Sequence, residues 1–173
     1  MVRRSFVVIA VVVLGLAGCN WRYSEEEHRA ARELTAEQRA GVESGVRAFM
    51  HRVAEDVTRE GPIAWKKEFA DRPEFFMASE GALAFRNHQE AAQGIEAFAK
   101  TIDHMSLHWG DDLRIDALTP ELAVVGTTWK EVRVDVQGKT VTQVGYFTGV
   151  AEKRDGEWKF RDAHWSVPGV AAN

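Results

Sequence analysis

The chain has 173 residues, of which 45% are hydrophobic and 28% are charged, and its formal net charge is -4 at pH 7. A hydrophobic fraction of this size supports a packed core and excludes a largely disordered chain. The mild acidity argues against a nucleic-acid-binding protein, because such proteins present clustered lysine and arginine side chains.

The N-terminal residues are typical of a secretory signal peptide. Arg3 and Arg4 give a positive start, residues 6–16 form an apolar run, and small residues stand just before Cys19. The run is shorter than the about 20 residues that a membrane-spanning helix needs. We therefore predict that residues 1–18 are a signal peptide and that the mature chain is exported.

The segment Leu16-Ala17-Gly18-Cys19 resembles a lipobox, the site at which bacterial lipoproteins are cleaved and acylated. Cys19 is the only cysteine, so no disulfide bond can form within the chain. Diacyl attachment supplies enough hydrocarbon for stable anchoring. We predict a lipoprotein held to a membrane through lipid on Cys19, on the periplasmic side. An uncleaved N-terminal anchor and an ordinary signal peptide are the alternatives. In a Gram-negative cell the outer membrane is favoured, because Asn20 replaces the aspartate that often accompanies inner-membrane retention.

Residues 19–34 are predicted to form a polar tether between the lipid and the folded domain. The segment is rich in charge, includes Glu25-Glu26-Glu27, and has no periodic apolar pattern. An arm that binds a partner protein is the alternative. The domain itself is predicted over residues 35–168, and residues 169–173 are predicted to be a tail.

Three helices are predicted at the start of the domain. Thr35 and Gln38 fit a capping box at the start of the first helix, and Gly61-Pro62 ends it. Apolar residues recur along it at helical spacing: Val42, Val46, Phe49, Met50, Val53 and Val57. The second helix is predicted over residues 62–70. The third begins after Asn87, and residue 94 within it is a glycine that close packing can explain.

Strands make up the rest of the predicted domain. Residues 74–86 are expected to form a hairpin that turns at Glu80-Gly81, between the second and third helices. Four longer strands are then predicted by period-two alternation, over residues 105–117, 122–136, 139–153 and 158–166. Their short connections imply antiparallel pairing. Helices before strands favour an α+β fold over alternating βαβ units.

The last strand predicts a pocket with a polar end. Trp158 and Phe160 are expected to face the core, and by parity Asp162, His164 and Ser166 follow them inward. On the strand before it, the inner face is expected to hold Val144, Tyr146, Thr148 and Val150. The face of residues 122–136 stays open: the odd positions include Trp129, Glu131 and Arg133, and a bulge that swaps faces is one explanation.

Three segments of the chain together resemble the C-terminal half of SnoaL-like proteins, which belong to the nuclear transport factor 2-like superfamily with the ketosteroid isomerases. They are residues 145–150 (Gly-Tyr-Phe-Thr-Gly-Val), residues 153–160 (Lys-Arg-Asp-Gly-Glu-Trp-Lys-Phe) and His164-Trp165-Ser166. The order of elements is similar over nearly the whole domain. The resemblance implies a cone, in which a curved antiparallel sheet wraps three N-terminal helices around one cavity. Members of the superfamily include enzymes, association modules and domains without known activity.

The predicted pocket combines apolar and polar groups, as ligand sites usually do. Its residues are Phe76, Trp109, Trp129, Tyr146, Thr148, His164 and Ser166. Within it Asp162, His164 and Tyr146 are the candidate acid–base residues, with Asp162 orienting the imidazole and Tyr146 donating to an oxyanion.

No metal site is predicted, since His104 and His108 fit solvated strand positions and the chain has no His-Glu-x-x-His pattern. No cofactor is predicted. The first hypothesis for function is a module that binds a small, largely apolar molecule. The alternatives are an isomerase, dehydratase or hydrolase, or a protein-interaction module that forms a homodimer. No nucleic-acid partner is expected.

Overall fold

The computed structural model describes residues 33–168. The predicted signal peptide, Cys19 and nearly all of the predicted tether lie outside the described residues, as does the predicted tail. Within the described part of the chain, no helix combines the length and the hydropathy that crossing a membrane requires.

The long first helix, α1 (Ala36–Glu60), forms as predicted. The Gln38 amide donates to Thr35 Oγ1 at 3.1 Å and the Thr35 amide donates to Gln38 Oε1 at 2.9 Å, which completes the capping box. The apolar stripe of α1 is buried. The helix ends at Gly61, whose φ of 75° suits a residue without a Cβ. The predicted second helix is shorter than expected: a 3₁₀ helix (Gly61–Ala64) leads into α2 (Trp65–Glu68).

The predicted hairpin and third helix are both present. Strands β1 (Phe76–Ser79) and β2 (Ala82–Phe85) turn at Glu80 and Gly81, which both have positive φ. Helix α3 (His88–Ala99) follows. Its N-cap is Asn87, whose side chain accepts a hydrogen bond from the Glu90 amide at 2.9 Å.

Five further strands complete the sheet: β3 (Ile102–Trp109), β4 (Arg114–Thr119), β5 (Leu122–Asp135), β6 (Thr140–Arg154) and β7 (Glu157–Ser166). The single strand predicted over residues 105–117 is therefore two strands. The chain turns between them, and the Asp112 carboxylate fixes that turn by accepting from the Thr128 amide at 2.9 Å and the Thr128 hydroxyl at 2.8 Å.

The seven strands form one curved, open sheet in the order β2-β1-β7-β6-β5-β3, and β4 pairs with β5 as well. All pairs are antiparallel except β1 with β7. The α+β class is thus confirmed. Helix α1 packs on the inner face, where Phe49, Phe147 and Phe160 are fully buried against one another. This packing places the core under α1 and leaves the region beneath α3 for a cavity.

A β-bulge in β7 reverses the side-chain faces of that strand. Ala151 pairs with Phe160 but Val150 pairs with Asp162, so Arg161 is an extra residue that has no counterpart on β6. One extra residue moves every later side chain to the opposite face, because side chains alternate with a period of two.

The predicted inward orientation of Asp162, His164 and Ser166 is therefore wrong. Trp158 and Phe160 face the core as expected, but beyond the bulge the inner positions belong to Ala163, which is 2% exposed, and Trp165. His164 is exposed on the outer face.

The inner face predicted for β6 is also wrong, because that prediction takes Tyr146 and Thr148 to share the inner face with Asp162, His164 and Ser166. Phe147 is buried, whereas Tyr146 and Thr148 are exposed. Across the bulged pair Tyr146 is opposite Ser166 and Thr148 is opposite His164, so these four residues do share a face, but it is the outer one. The face of β5 is now resolved, because it pairs with β6 without a shift from Leu122 to Val134 and its odd positions point inward.

Candidate ligand-binding cavity

A cavity of about 240 Å³ lies between α3, the β1–β2 hairpin and the inner face of the sheet. Its walls are mostly aromatic and aliphatic: Trp65, Phe69, Met77, Phe85, Ile95, Phe98, Met105, Trp129, Trp165 and Val167. Polar lining comes from Ser79, Glu80, Glu131, Arg133 and Gln143. An apolar lining with a few placed polar groups is the usual composition of a small-molecule site.

Trp165 anchors the apolar wall because β7 turns it inward after the bulge. Its ring lies 4.7 Å from Phe147, 5.1 Å from Trp129, 5.4 Å from Trp65 and 5.7 Å from Trp109, measured between centroids. These separations are those of favourable aromatic pairs. The wall is therefore built by packing among several elements.

Gly94 lets α3 approach the hairpin at the edge of the cavity. A Cβ at this position would lie 2.3 Å from Cε1 of Phe85, well inside van der Waals contact. The close packing that the sequence suggested for this glycine is thus observed. Both residues line the cavity, so the helix–hairpin contact also sets its width.

Three side chains form the polar end of the cavity, which we call the Glu131–Arg133–Gln143 cluster. Arg133 Nη1 donates to Glu131 Oε1 at 2.9 Å, and Arg133 Nη2 donates to Gln143 Oε1 at 2.5 Å. The guanidinium also lies 5.7 Å from the centre of the Phe98 ring, a cation–π distance. Glu131 and Arg133 share a face because they are two residues apart on β5, and Gln143 is directly opposite Glu131 on β6.

Glu131 is a carboxyl group in an unusually apolar place. The residue is 8% exposed. Burial raises the pKa of the Glu131 carboxyl above its usual range, and the positive charge of Arg133 offsets part of that rise. A carboxyl group held this way can take up or release a proton inside the cavity.

Trp129 adds a hydrogen-bond donor to the same wall. The residue is 6% exposed, and its indole N–H finds no acceptor among the described residues. A buried indole N–H ordinarily has a partner, and it can only donate. Neighbouring atoms cover this N–H, so it is a buried donor within the wall of the cavity.

The predicted pocket residues are divided between this cavity and the outer surface. Trp129 lines the cavity. Trp109, Trp129, Tyr146 and Ser166 line a second depression of about 630 Å³ near Pro168. That depression is larger, but its described lining includes no carboxyl group. We therefore regard the cavity beneath α3, which holds a charged and hydrogen-bonded cluster, as the better site.

The remaining predicted residues lie outside the cavity. Phe76 is 44% exposed and Tyr146 is 42% exposed, while Thr148 and His164 are exposed on the outer face. Asp162 is half-buried, and burial raises the pKa of its carboxyl group. No hydrogen bond joins Asp162 to His164 in the part of the chain that the structure describes. The acid–base role of Asp162, His164 and Tyr146 stays a prediction, but the geometry brings none of the three to the cavity.

The residues that sequence reasoning did not select are Glu131, Arg133 and Gln143. A signal for the first two was present, since both alternate with Val125, Thr127 and Trp129 on one face of β5. Charged residues that continue the same alternation as buried residues indicate a polar region on the inner face of a strand. Gln143 could be found only once the register of β6 was known.

Among residues 33–168, no group of three or more His, Cys, Asp or Glu side chains is arranged to hold a metal ion.

Comparisons with protein-family models and with curated proteins give no match. Solved structures do match. A nuclear transport factor 2-like superfamily protein from Salmonella enterica serovar Typhimurium is 19% identical, with a TM-score of 0.65 over 77% of this chain and 95% of that one. A proposed scytalone dehydratase from Novosphingobium aromaticivorans is 13% identical, with a TM-score of 0.68 over 78% and 89%. A type 2 hexachlorocyclohexane dehydrochlorinase (LinA) is 12% identical, with a TM-score of 0.63 over 78% and 90%.

Identities this low establish architecture and leave function to the residues of the site. The matched structures superpose on most of the chain, with TM-scores from 0.63 to 0.68. The resemblance carried by the sequence is therefore confirmed at the level of the fold, and the domain has the nuclear transport factor 2-like fold.

Proposed function

We propose that the domain binds a small, largely apolar molecule in the cavity beneath α3. The observation that carries this proposal is a largely apolar cavity whose wall holds the Glu131–Arg133–Gln143 cluster. Contact with the aromatic walls would supply most of the binding free energy, and the cluster would orient the ligand.

The size of the cavity limits the ligand to a compact molecule. Sites for drug-sized ligands span about 300–1,000 Å³, and this cavity is about 240 Å³. A molecule with one or two rings and a single polar substituent fits this description. A long acyl chain does not.

Native mass spectrometry of residues 34–173 tests the proposal. The core residues that the structure describes lie between Leu34 and Val167, so this segment keeps all of them without the predicted signal peptide and nearly all of the predicted tether. We expect a fraction of the purified domain to carry a non-covalent adduct of small mass that denaturation releases. A domain that is free of adduct, and that no panel of small aromatic compounds stabilises thermally, would contradict the proposal.

An enzyme that moves a proton is the second candidate, and the buried carboxyl of Glu131 is the observation that favours it. The dehydrochlorinase and the proposed dehydratase noted above carry out eliminations by name, and eliminations require proton transfer. Proton exchange at the methyl group of acetophenone in D₂O, followed by NMR, is a test that needs no knowledge of the substrate. We expect exchange faster than in buffer with the wild-type domain and none above buffer with Glu131→Gln. Equal exchange with both proteins would exclude Glu131.

Export and lipid anchoring remain a proposal that the N-terminal sequence supports. Leu16-Ala17-Gly18-Cys19 follows a positive start and an apolar run, as in lipoprotein precursors. Replacing Cys19 with serine should abolish labelling by a fatty-acid analogue and release the protein from the membrane fraction or leave it uncleaved. Undiminished membrane recovery of a cleaved Cys19→Ser protein would contradict anchoring through this residue.

Homodimer formation is a separate proposal, favoured by the outer face of the sheet. Val144 is 49% exposed and Tyr146 is 42% exposed, and the two lie two residues apart on β6. A second copy would cover them. Sedimentation equilibrium should give a mass that rises with concentration for the wild type and a monomer for Tyr146→Lys. A wild-type monomer at all concentrations would contradict this proposal.

A further inference from the structure

Two opposite charges that neutralise each other lie in the wall of the cavity. Glu131 and Arg133 contact each other directly, and both line the cavity. Their charges cancel, so a charged ligand would enter without a free counter-charge to meet it. Moving an ion out of water into a low-dielectric space without such a partner is costly.

We propose that the Glu131–Arg133 pair makes the cavity selective for neutral molecules that carry one hydrogen-bond acceptor, such as an aryl ketone, and that it excludes carboxylates of the same shape. This inference rests on the proposed function and adds the chemical class of the ligand. Specificity of this kind comes from a repulsive element as much as from attraction. Here the repulsive element is the Glu131 carboxylate, because it stands where a ligand carboxylate would approach Arg133.

The Arg133 guanidinium supplies the attractive element, because it carries five N–H donors. Among the described residues it donates one hydrogen bond to Glu131 and one to Gln143. Arg133 lines the cavity. A carbonyl or ether oxygen could accept from a further N–H of Arg133 without bringing a charge.

The other described walls provide no further charge that could alter this balance, apart from Glu80 at the turn of the hairpin, which is exposed. The remaining elements contribute uncharged lining only: Trp65 and Phe69 near α2, Ile95 and Phe98 from α3, Met105 from β3, Gln143 from β6 and Trp165 from β7. The ionisation of Glu131 therefore decides whether the positive charge of Arg133 is compensated.

Matched ligands of one shape test the inference. Acetophenone and benzoate differ mainly in charge, and their dissociation constants for residues 34–173 can be measured at pH 8 by ligand-observed NMR titration. We expect the wild type to bind acetophenone at least tenfold more tightly than benzoate. Glu131→Gln keeps the shape of the side chain and removes its charge, so its affinity for benzoate should rise at least tenfold and the ratio of the acetophenone affinity to the benzoate affinity should fall.

Glu152→Gln is the control. Glu152 is also a buried carboxylate that accepts from an arginine, Arg72, at 2.6 Å, but it lies outside the cavity lining. We expect its two affinities to match those of the wild type within twofold. A gain for benzoate in this variant would show that the effect is not local to the cavity and would overturn the inference.

A second measurement needs no variant. Benzenesulfonate stays ionised at low pH, so protonation of Glu131 alone should improve its binding to the wild type as the pH is lowered from 8 to 5. Equal wild-type affinities for acetophenone and benzoate, or an unchanged ratio in Glu131→Gln, would overturn the inference while leaving the proposed binding function in place. Failure of all three probes to bind would contradict the binding function itself.

Discussion

Arg133 donates a hydrogen bond to Glu131 along one face of β5, with 2.9 Å between Nη1 and Oε1, inside a cavity whose other walls are largely aromatic and aliphatic. The pair stands where the inner face of the sheet opens beneath α3. It supplies two of the three charged side chains that line the cavity, the third being Glu80. The consequences for stability, for specificity and for proton transfer can be separated by experiment.

Removing the cation should leave a buried carboxylate without its partner. We expect Arg133→Met to lower the free energy of unfolding by roughly 1–3 kcal/mol at pH 8. The loss should be smaller at pH 4, where protonation of Glu131 removes the unpaired charge. Denaturant unfolding at the two pH values measures both effects. Losses of equal size at pH 4 and pH 8 would show that Arg133 acts through packing instead of charge.

The pKa of Glu131 predicts how stability depends on pH. Burial raises the pKa of this carboxyl in the folded state, so folding favours its protonated form. Its contribution to stability is fully present below the pKa of the unfolded chain and is lost as the pH rises through the folded pKa. The free energy of unfolding of Glu131→Gln minus that of the wild type should therefore increase as the pH is raised from 4 to 8. Two parallel pH profiles would contradict this assignment.

Two helical glycines provide a matched test of the contact between α3 and the hairpin. A Cβ added at Gly41 in α1 would meet none of the described residues within 4 Å, whereas at Gly94 it would lie 2.3 Å from Phe85. Gly41→Ala should stabilise the domain by about 0.5–1 kcal/mol, because alanine loses less backbone entropy in a helix. Gly94→Ala should destabilise it by roughly 1–3 kcal/mol through overpacking. Thermal and denaturant unfolding measure both, and a gain of similar size at the two positions would rule out the close contact.

The β7 bulge makes a prediction about neighbouring residues. Ala163→Asp places a charge at a position that is 2% exposed, and we expect it to lower the free energy of unfolding by at least about 3 kcal/mol. His164→Ala changes an exposed side chain and should stay within about 0.5 kcal/mol of the wild type. The reverse order of effects would restore the face assignment that simple alternation predicts.

The bulge also explains which features of the fold could be predicted from the sequence and which could not. Local signals found the capping box at Thr35, the hairpin turn at Glu80 and the N-cap at Asn87, because each depends on residues close in sequence. The extra residue in β7, Arg161, carries no such signal, since it follows from the pairing of β7 with β6. A prediction that assumes strict alternation through Arg161 therefore places His164 on the wrong face of the sheet.

The polar end of the cavity was hidden by the same limitation. Glu131 and Arg133 were visible on the odd face of β5, but alternation alone did not say which face was inner. Pairing with β6 decides that question and brings Gln143 opposite Glu131. Long-range register thus determined the site, whereas local propensity determined the elements that carry it.

A crystal structure of residues 34–173 with acetophenone, at a concentration that saturates the wild-type domain in the NMR titration, tests the central claim most directly. We predict ligand density between α3, the β1–β2 hairpin and β5, with the carbonyl oxygen within hydrogen-bond distance of the Glu131–Arg133–Gln143 cluster. Density confined to the open depression near Tyr146 and Pro168, with the cavity beneath α3 empty, would contradict the claim.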